Sequence, residues 1–122
     1  MQTFLVVDPS NVVRKVACRI FETMQFSTSE AETGQEALEK CAAQMPDTIL
    51  FDGHVPNVVN AEFLTALRAL PNGSKPVILY CTTENDASEI ARALSAGADD
   101  YVLKPFDSES IRTKLTSVGH KA

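Results

Sequence analysis

Four short apolar runs in this 122-residue chain each give way to a residue able to do chemistry. Thr3–Val7 leads to Asp8, residues 48–51 to Asp52, residues 77–81 to Thr82, and Asp100–Leu103 to Lys104. Two carboxylates, a hydroxyl and an ammonium are therefore offered at the ends of four runs. That set suits phosphoryl transfer. A carboxylate can act as a covalent nucleophile, and Mg²⁺ binds carboxylates together with phosphate oxygens. The ammonium and hydroxyl can hold the remaining oxygens of a transition state that needs mainly positioning and charge neutralisation. The competing reading is that polar residues follow strands because the chain turns there.

Positioning such groups requires elements that bring run ends together. Continuous apolar runs suit strands covered on both faces, as in parallel sheets. A fifth, more polar run at residues 26–31 reads as an edge strand. Between the runs lie helical patterns. Val12, Val13, Val16, Ala17, Ile20, Phe21 and Met24 form one stripe, which Ser10 or Asn11 would cap. Thr33 and Glu36 have capping-box spacing ahead of a second helix that Pro46 ends. A third follows Asn60 with Phe63, Leu64 and Leu67. A fourth spans about residues 86–96 with Gly97 as its C-terminal cap. A fifth follows Asp107 and carries Ile111, Leu115 and Val118. Five alternations of strand and helix predict an α/β sandwich around a parallel sheet with right-handed crossovers. In such sheets a site lies beyond the carboxyl ends of the strands.

Composition narrows the function classes. The length fits one domain covering residues 1–122, and the 44% apolar content supports a core. No apolar run approaches a membrane span, and no secretory signal opens the chain. A net charge of −5 argues against a nucleic-acid surface. Cys18, Cys41 and Cys81 fit neither a disulfide framework nor a zinc site and read as small apolar groups. A reducing, cytoplasmic setting is expected.

The segments FLVVDPSNVVRKV, PDTILFDGHVPN, LYCTTEND and SAGADDYVLKPF resemble the receiver domain of bacterial two-component response regulators, particularly the single-domain chemotaxis type. The resemblance spans essentially the whole chain, and its last segment is the most specific. It implies a flavodoxin-like sandwich of five parallel strands in the order 2-1-3-4-5 with five helices. It implies that Asp52 accepts a phosphoryl group from a phosphohistidine on a histidine kinase or histidine phosphotransfer protein. Asp8, Asp52 and the backbone carbonyl of His54 would bind Mg²⁺. Thr82 and Lys104 would contact the phosphate, and Tyr101 would be a switch aromatic. The Lys104–Pro105 bond would be cis. The face formed by helix 4, strand 5 and helix 5, near Arg92, Ser95 and Tyr101, would meet a downstream protein of unknown identity. With no effector region after helix 5, output by direct protein contact is expected.

Several positions depart from that pattern. Family members usually end the first strand on two acids, whereas this chain has Asp8-Pro9. Pro9 brings no side-chain oxygen to the place of the usual direct metal ligand, so weak Mg²⁺ binding is expected. Its fixed φ and missing N–H do suit a residue leaving a strand ahead of a helix. Val59-Asn60 stands where the family has Asp-Gly, and Asn60 is expected to take positive φ there. His54 lies two residues past the nucleophile, either as a modulator of phosphate lifetime or as an exposed loop residue. Thr83 replaces a smaller residue and should narrow access to the phosphate. The leading expectation is a phospho-accepting switch rather than an enzyme acting on other substrates. Two alternatives stand beside it: a phosphorylation-independent pseudo-receiver and, more remotely, an aspartate-nucleophile phosphatase.

Overall fold

The computed structural model describes residues 1–118; the last four residues of the expected 1–122 domain lie outside them. The elements alternate as β1 (Thr3–Val7), α1 (Asn11–Thr23), β2 (Ser27–Ala31), α2 (Gly34–Ala43), β3 (Thr48–Asp52), α3 (Asn60–Ala69), β4 (Val77–Thr82), α4 (Ala87–Ala96), β5 (Asp100–Leu103) and α5 (Ser108–Ser117). The strands form one parallel sheet in the order β2-β1-β3-β4-β5, as expected. β3 and β4 each run one residue further than the apolar pattern alone predicts. Asp52 and Thr82 are therefore the last residues of strands, placed by the ladder itself.

The strands' continuous apolar character reflects burial on both faces. On one face Leu5, Val7, Ile49, Phe51, Ile78 and Tyr80 pack against residues of α2, α3 and α4. On the other, Phe4, Val6, Leu50, Leu79, Cys81 and Val102 pack against α1 and α5. The period-two alternation along each strand divides the two sets. Phe4 stacks on Phe21 at 3.6 Å between centroids, and Phe21 meets Phe26 edge-on at 5.1 Å. Each such fully buried side chain contributes roughly 1.5–3 kcal/mol of transfer free energy. The three cysteines are free and buried within these two layers.

Side-chain caps set four of the five helix starts. Ser10, Thr33, Asp86 and Asp107 each accept a hydrogen bond from a backbone N–H of the first turn. The Glu36 carboxylate reaches back to the Glu32 N–H rather than to that of Thr33, so the expected capping box is displaced by one residue. α3 is the exception: its N-cap is Val59, which has no side chain able to accept a bond and is exposed. The positive φ expected at Asn60 falls instead at Asn57 (φ 62°), and Asn60 opens α3. The loop makes its left-handed turn three residues early, which frees the Asn60 amide for another use.

At the end of the sheet opposite the strands' carboxyl termini, Arg68 joins three segments. Its guanidinium donates to the Gly97 carbonyl from Nε (2.9 Å) and Nη2 (2.6 Å), to Gly73 O (3.0 Å) and to Pro76 O (2.9 Å). It also donates to Asp99 Oδ2 at 3.0 Å. Gly97 closes α4 with φ 138°, and a Cβ there would stand 2.9 Å from Arg68 Cγ.

Candidate functional site

The strand order reverses direction between β1 and β3, so the crevice beyond their carboxyl ends is the natural place for a site. Asp8 follows β1, and its N–H donates to Ala31 O at 3.1 Å, extending the pairing with β2. Its Oδ1 accepts the Ser10 N–H at 2.8 Å, and Ser10 in turn caps α1. Pro9, exposed between them, needs no donor because the local turn is closed by its neighbours. Asp52, the last residue of β3, is 2% exposed and accepts the His54 N–H on Oδ2 at 3.1 Å.

Lys104 brings the two carboxylates together. Its backbone N–H donates to Thr82 O at 2.9 Å, which docks the end of β5 on β4. Its Nζ lies 2.8 Å from Asp8 Oδ2 and 2.9 Å from Asp52 Oδ1. The first contact is an aligned hydrogen bond and the second an ion pair. Burial opposes the ammonium's charge. The contacts with Asp8 and Asp52 and the field of both carboxylates outweigh it, holding the Lys104 pKa above the ordinary lysine value. The pocket therefore carries two buried carboxylates against one cation. All four carboxylate oxygens already face a hydrogen-bond donor or the ammonium.

Thr82 is fully buried one residue beyond Cys81, the ladder partner of Asp52. Its Oγ1 accepts the Glu84 N–H at 3.1 Å. The Lys104–Pro105 peptide is cis. Thr83 is exposed and lines a shallow groove of about 300 Å³ with Val12, Val16, Lys104, Pro105 and Phe106. Tyr101 is half-buried on β5, with the Lys114 ammonium 4.1 Å above its ring. The His54 side chain is exposed, and the His54 group that meets Asp52 is the backbone N–H.

The donor chemistry fits a modest Mg²⁺ site. Two carboxylates and nearby carbonyls are hard oxygen ligands, and Mg²⁺ commonly takes one or two carboxylates with water. Among the described residues, however, no three acidic, imidazole or thiol side chains gather into a metal cluster. Pro9 supplies no side-chain oxygen, and the Lys104 ammonium stands against one oxygen of each of Asp8 and Asp52.

Four residues near the site carry contacts that the spacing of acids and bases does not announce. Arg14 donates to Asp8 O at 2.7 Å and to Glu30 Oε1 at 3.0 Å, fixing the β1–α1 turn. Asn60 Nδ2 donates to Gly53 O at 2.9 Å and to the Tyr80 hydroxyl at 3.1 Å. The Tyr80 hydroxyl donates to Glu89 on α4. The sequence does hold one signal: a glycine directly after Asp52, and a tyrosine in an otherwise apolar strand. A Cβ at position 53 would overlap the Tyr80 hydroxyl and stand 2.7 Å from Cζ.

Comparison with known proteins bears on this arrangement. The family model described as the response regulator receiver domain matches residues 4–116. The response regulator MprA of Mycolicibacterium vanbaalenii is 33% identical over 114 residues, covering 93% of this chain and 48% of that protein. The chain thus spans about half the length of the curated relatives it matches. The chemotaxis response regulator CheY4 of Vibrio cholerae superposes with a TM-score of 0.89 at 28% identity, over 97% of this chain and 98% of that one. A response regulator from Burkholderia pseudomallei, solved with a phosphorylated aspartic acid, a calcium ion and citrate, superposes at 0.87 with 28% identity. That match covers 98% of this chain and 69% of the other.

Proposed function

This chain belongs to the response regulator receiver family, and on that premise we propose that Asp52 is its phosphoacceptor and Lys104 and Thr82 its phosphate contacts. Receivers act on their own phosphorylation state, so membership replaces the phosphatase alternative. The observation that carries the reading is the meeting of Asp52 and Asp8 within 2.9 Å of the Lys104 ammonium at the strand ends. The phosphorylated aspartate in the Burkholderia protein supports it by analogy.

In the proposed step an Asp52 carboxylate oxygen forms a P–O bond as the N–P bond of a phosphohistidine breaks. The departing imidazole keeps the bonding pair and takes up a proton. Lys104 stays beside the acceptor and pairs with the phosphoryl oxygens, while the Thr82 hydroxyl exchanges the Glu84 N–H for the new phosphate. Asp8, Asp52 and the His54 carbonyl would hold Mg²⁺. When bound, that ion neutralises charge on the transferring group. Binding is weak because Pro9 adds no side-chain ligand and the Lys104 ammonium already stands against one oxygen of each carboxylate. The donor is a histidine kinase or phosphotransfer protein in the cytoplasm, and the output is contact with another protein. Pro9→Asp is the variant that addresses the metal directly.

Acetyl phosphate with excess Mg²⁺ tests the assignment by intact mass. Wild type should gain one phosphoryl group and Asp52→Asn none. An unmodified wild type at high metal would overturn the reading and leave a phosphorylation-independent binding module.

A further inference from the structure

One hydrogen-bonded chain connects α4 to the acceptor carboxylate, separately from the Thr82–Lys104 side of the pocket. The peptide unit joining Gly53 to His54 is held at both ends. Its N–H donates to Asp52 Oδ2 at 3.1 Å, and its carbonyl accepts from Asn60 Nδ2 at 2.9 Å. A carbonyl only accepts, so the Asn60 group facing it is the amide nitrogen. The second proton of that nitrogen goes to the Tyr80 hydroxyl at 3.1 Å. Tyr80 is fully buried between Phe51 and the α3–α4 layer, and its own proton goes to Glu89 in the first turn of α4. Burial, joined by the Glu89 contact, pushes the phenol well above its ordinary pKa, so it remains a donor.

Each link is used once and in one direction. Glu89 accepts from Tyr80, Tyr80 accepts from Asn60, Asn60 holds the Gly53 carbonyl, and the same peptide presents its N–H to Asp52. Peptide planarity makes the last two links mechanically one, because rotating the carbonyl away carries the N–H with it. Gly53 is required for this, since a side chain there would occupy the space of the Tyr80 hydroxyl.

Resting on the reading of Asp52 as acceptor, we propose that Tyr80 is a positioning residue for that carboxylate, acting through Asn60 and the Gly53–His54 peptide, with Glu89 making its hold depend on the place of α4. Displacing the first turn of α4 removes the acceptor of the Tyr80 proton. Tyr80 then loosens its grip on Asn60, and the N–H on Asp52 Oδ2 loses its alignment. Conversely, a phosphoryl group that draws that N–H toward itself pulls on α4.

The test uses Tyr80→Phe, Glu89→Ala and the conservative Glu89→Gln, which keeps an acceptor oxygen. The first readout is the His54 amide in the free protein, by ¹⁵N-resolved chemical shift and hydrogen exchange. Tyr80→Phe and Glu89→Ala should shift that resonance and raise its exchange about three- to tenfold, as loss of one buried hydrogen bond implies, while Glu89→Gln stays near wild type. Their urea midpoints should leave each protein more than nine-tenths folded, which separates positioning from unfolding. The second readout is the initial rate of Asp52 modification by acetyl phosphate, expected to fall in the same order. A His54 amide that is unmoved in both Tyr80→Phe and Glu89→Ala overturns the proposal. So does Glu89→Gln behaving like Glu89→Ala. If wild type takes no phosphoryl group but the amide responds as stated, the phosphoacceptor reading fails and the positioning chain stands.

Discussion

If the proposed Mg²⁺ site is weakened by Pro9, replacing Pro9 by aspartate should tighten it, and the general cost of losing a metal's supporting groups sets the scale of the change. In the native pocket Asp8 Oδ1 is taken by the Ser10 N–H, Asp8 Oδ2 and Asp52 Oδ1 by Lys104, and Asp52 Oδ2 by the His54 N–H. A divalent ion must share these carboxylates with the Lys104 ammonium, whose charge opposes it. Aspartate at position 9 adds two uncommitted oxygens beside them. Loss of outer-sphere partners alone costs about 10–100-fold in metal affinity, so a restored ligand should add at least that, or roughly 1.4–2.7 kcal/mol. At Mg²⁺ concentrations above both dissociation constants the same difference appears as added folding stability, and a domain of this size should show it as about 4–12 °C in Tm. Without metal the variant should start lower. It loses the rigid proline, at about 0.4–1 kcal/mol, and adds a third acid against one ammonium. The assay is thermal unfolding across a Mg²⁺ series with a chelator control, together with calorimetric titration. Pro9→Ala separates the backbone effect from the carboxylate. Parallel Tm curves for wild type and Pro9→Asp would refute the reasoning and show that Asp8 and the backbone already satisfy the ion.

Arg68→Lys should cost about 2–3 kcal/mol in urea unfolding, because an ammonium cannot span the acceptors at Gly73, Pro76, Gly97 and Asp99; a loss under 0.5 kcal/mol would contradict this. Val59→Ser should stabilise by about 1 kcal/mol, since it caps the one helix start lacking a side-chain acceptor and gives up an exposed valine. Stability should fall on the acid side as pH drops through the lowered pKa values of Glu30, Glu36 and Asp107. The Lys15 hydrogen bond lowers the first, the Glu32 N–H the second and the Ser110 N–H the third, so their stabilisation is full above the ordinary 4.5 for glutamate and 3.8 for aspartate. On the alkaline side stability should decline from about pH 9. Burial pushes the Cys41 thiol to about 11 and the Cys81 thiol to about 12, so the folded state resists a deprotonation that the unfolded chain undergoes near 9.0. The Lys104 contribution is full below 10.5 and is lost as pH rises further through its raised pKa. Chemical denaturation from pH 3 to pH 11 checks both limbs, and a flat profile would contradict them.

The sheet was legible because strands buried on both faces write themselves as apolar runs, and β3 is buried at all five positions. The helix starts were legible wherever a short polar side chain precedes a stripe, as at Thr33 and Asp107. The convergence of Asp8, Asp52 and Lys104 followed from the topology, although Asp8 and Lys104 are 96 residues apart. What escaped were roles set by three-dimensional partners. Asn60 reads as a turn residue, yet Asn57 makes the turn and Asn60 spends its amide on Gly53 and Tyr80. Tyr80 brings a hydroxyl into the apolar run of residues 77–81, which signals a polar partner without naming it. Only the neighbours facing its ring tip reveal the use of its hydroxyl. Arg14 lies beside the first stripe with no role that spacing assigns, yet it grips the Asp8 carbonyl and Glu30.

The Arg68 guanidinium has a consequence for how α4 can move. It clamps the carbonyl of Gly97 at the trailing end of that helix, while the leading turn is held by the Glu89 hydrogen bond to Tyr80 and by the buried Ile90. Sliding along the axis would break the Arg68 bonds to Gly97, whereas a tilt with its fulcrum at Gly97 would leave them in place. Ten residues make an arm of about 15 Å, so a tilt of about 10° carries the leading turn some ~2.6 Å, enough to part a hydrogen bond.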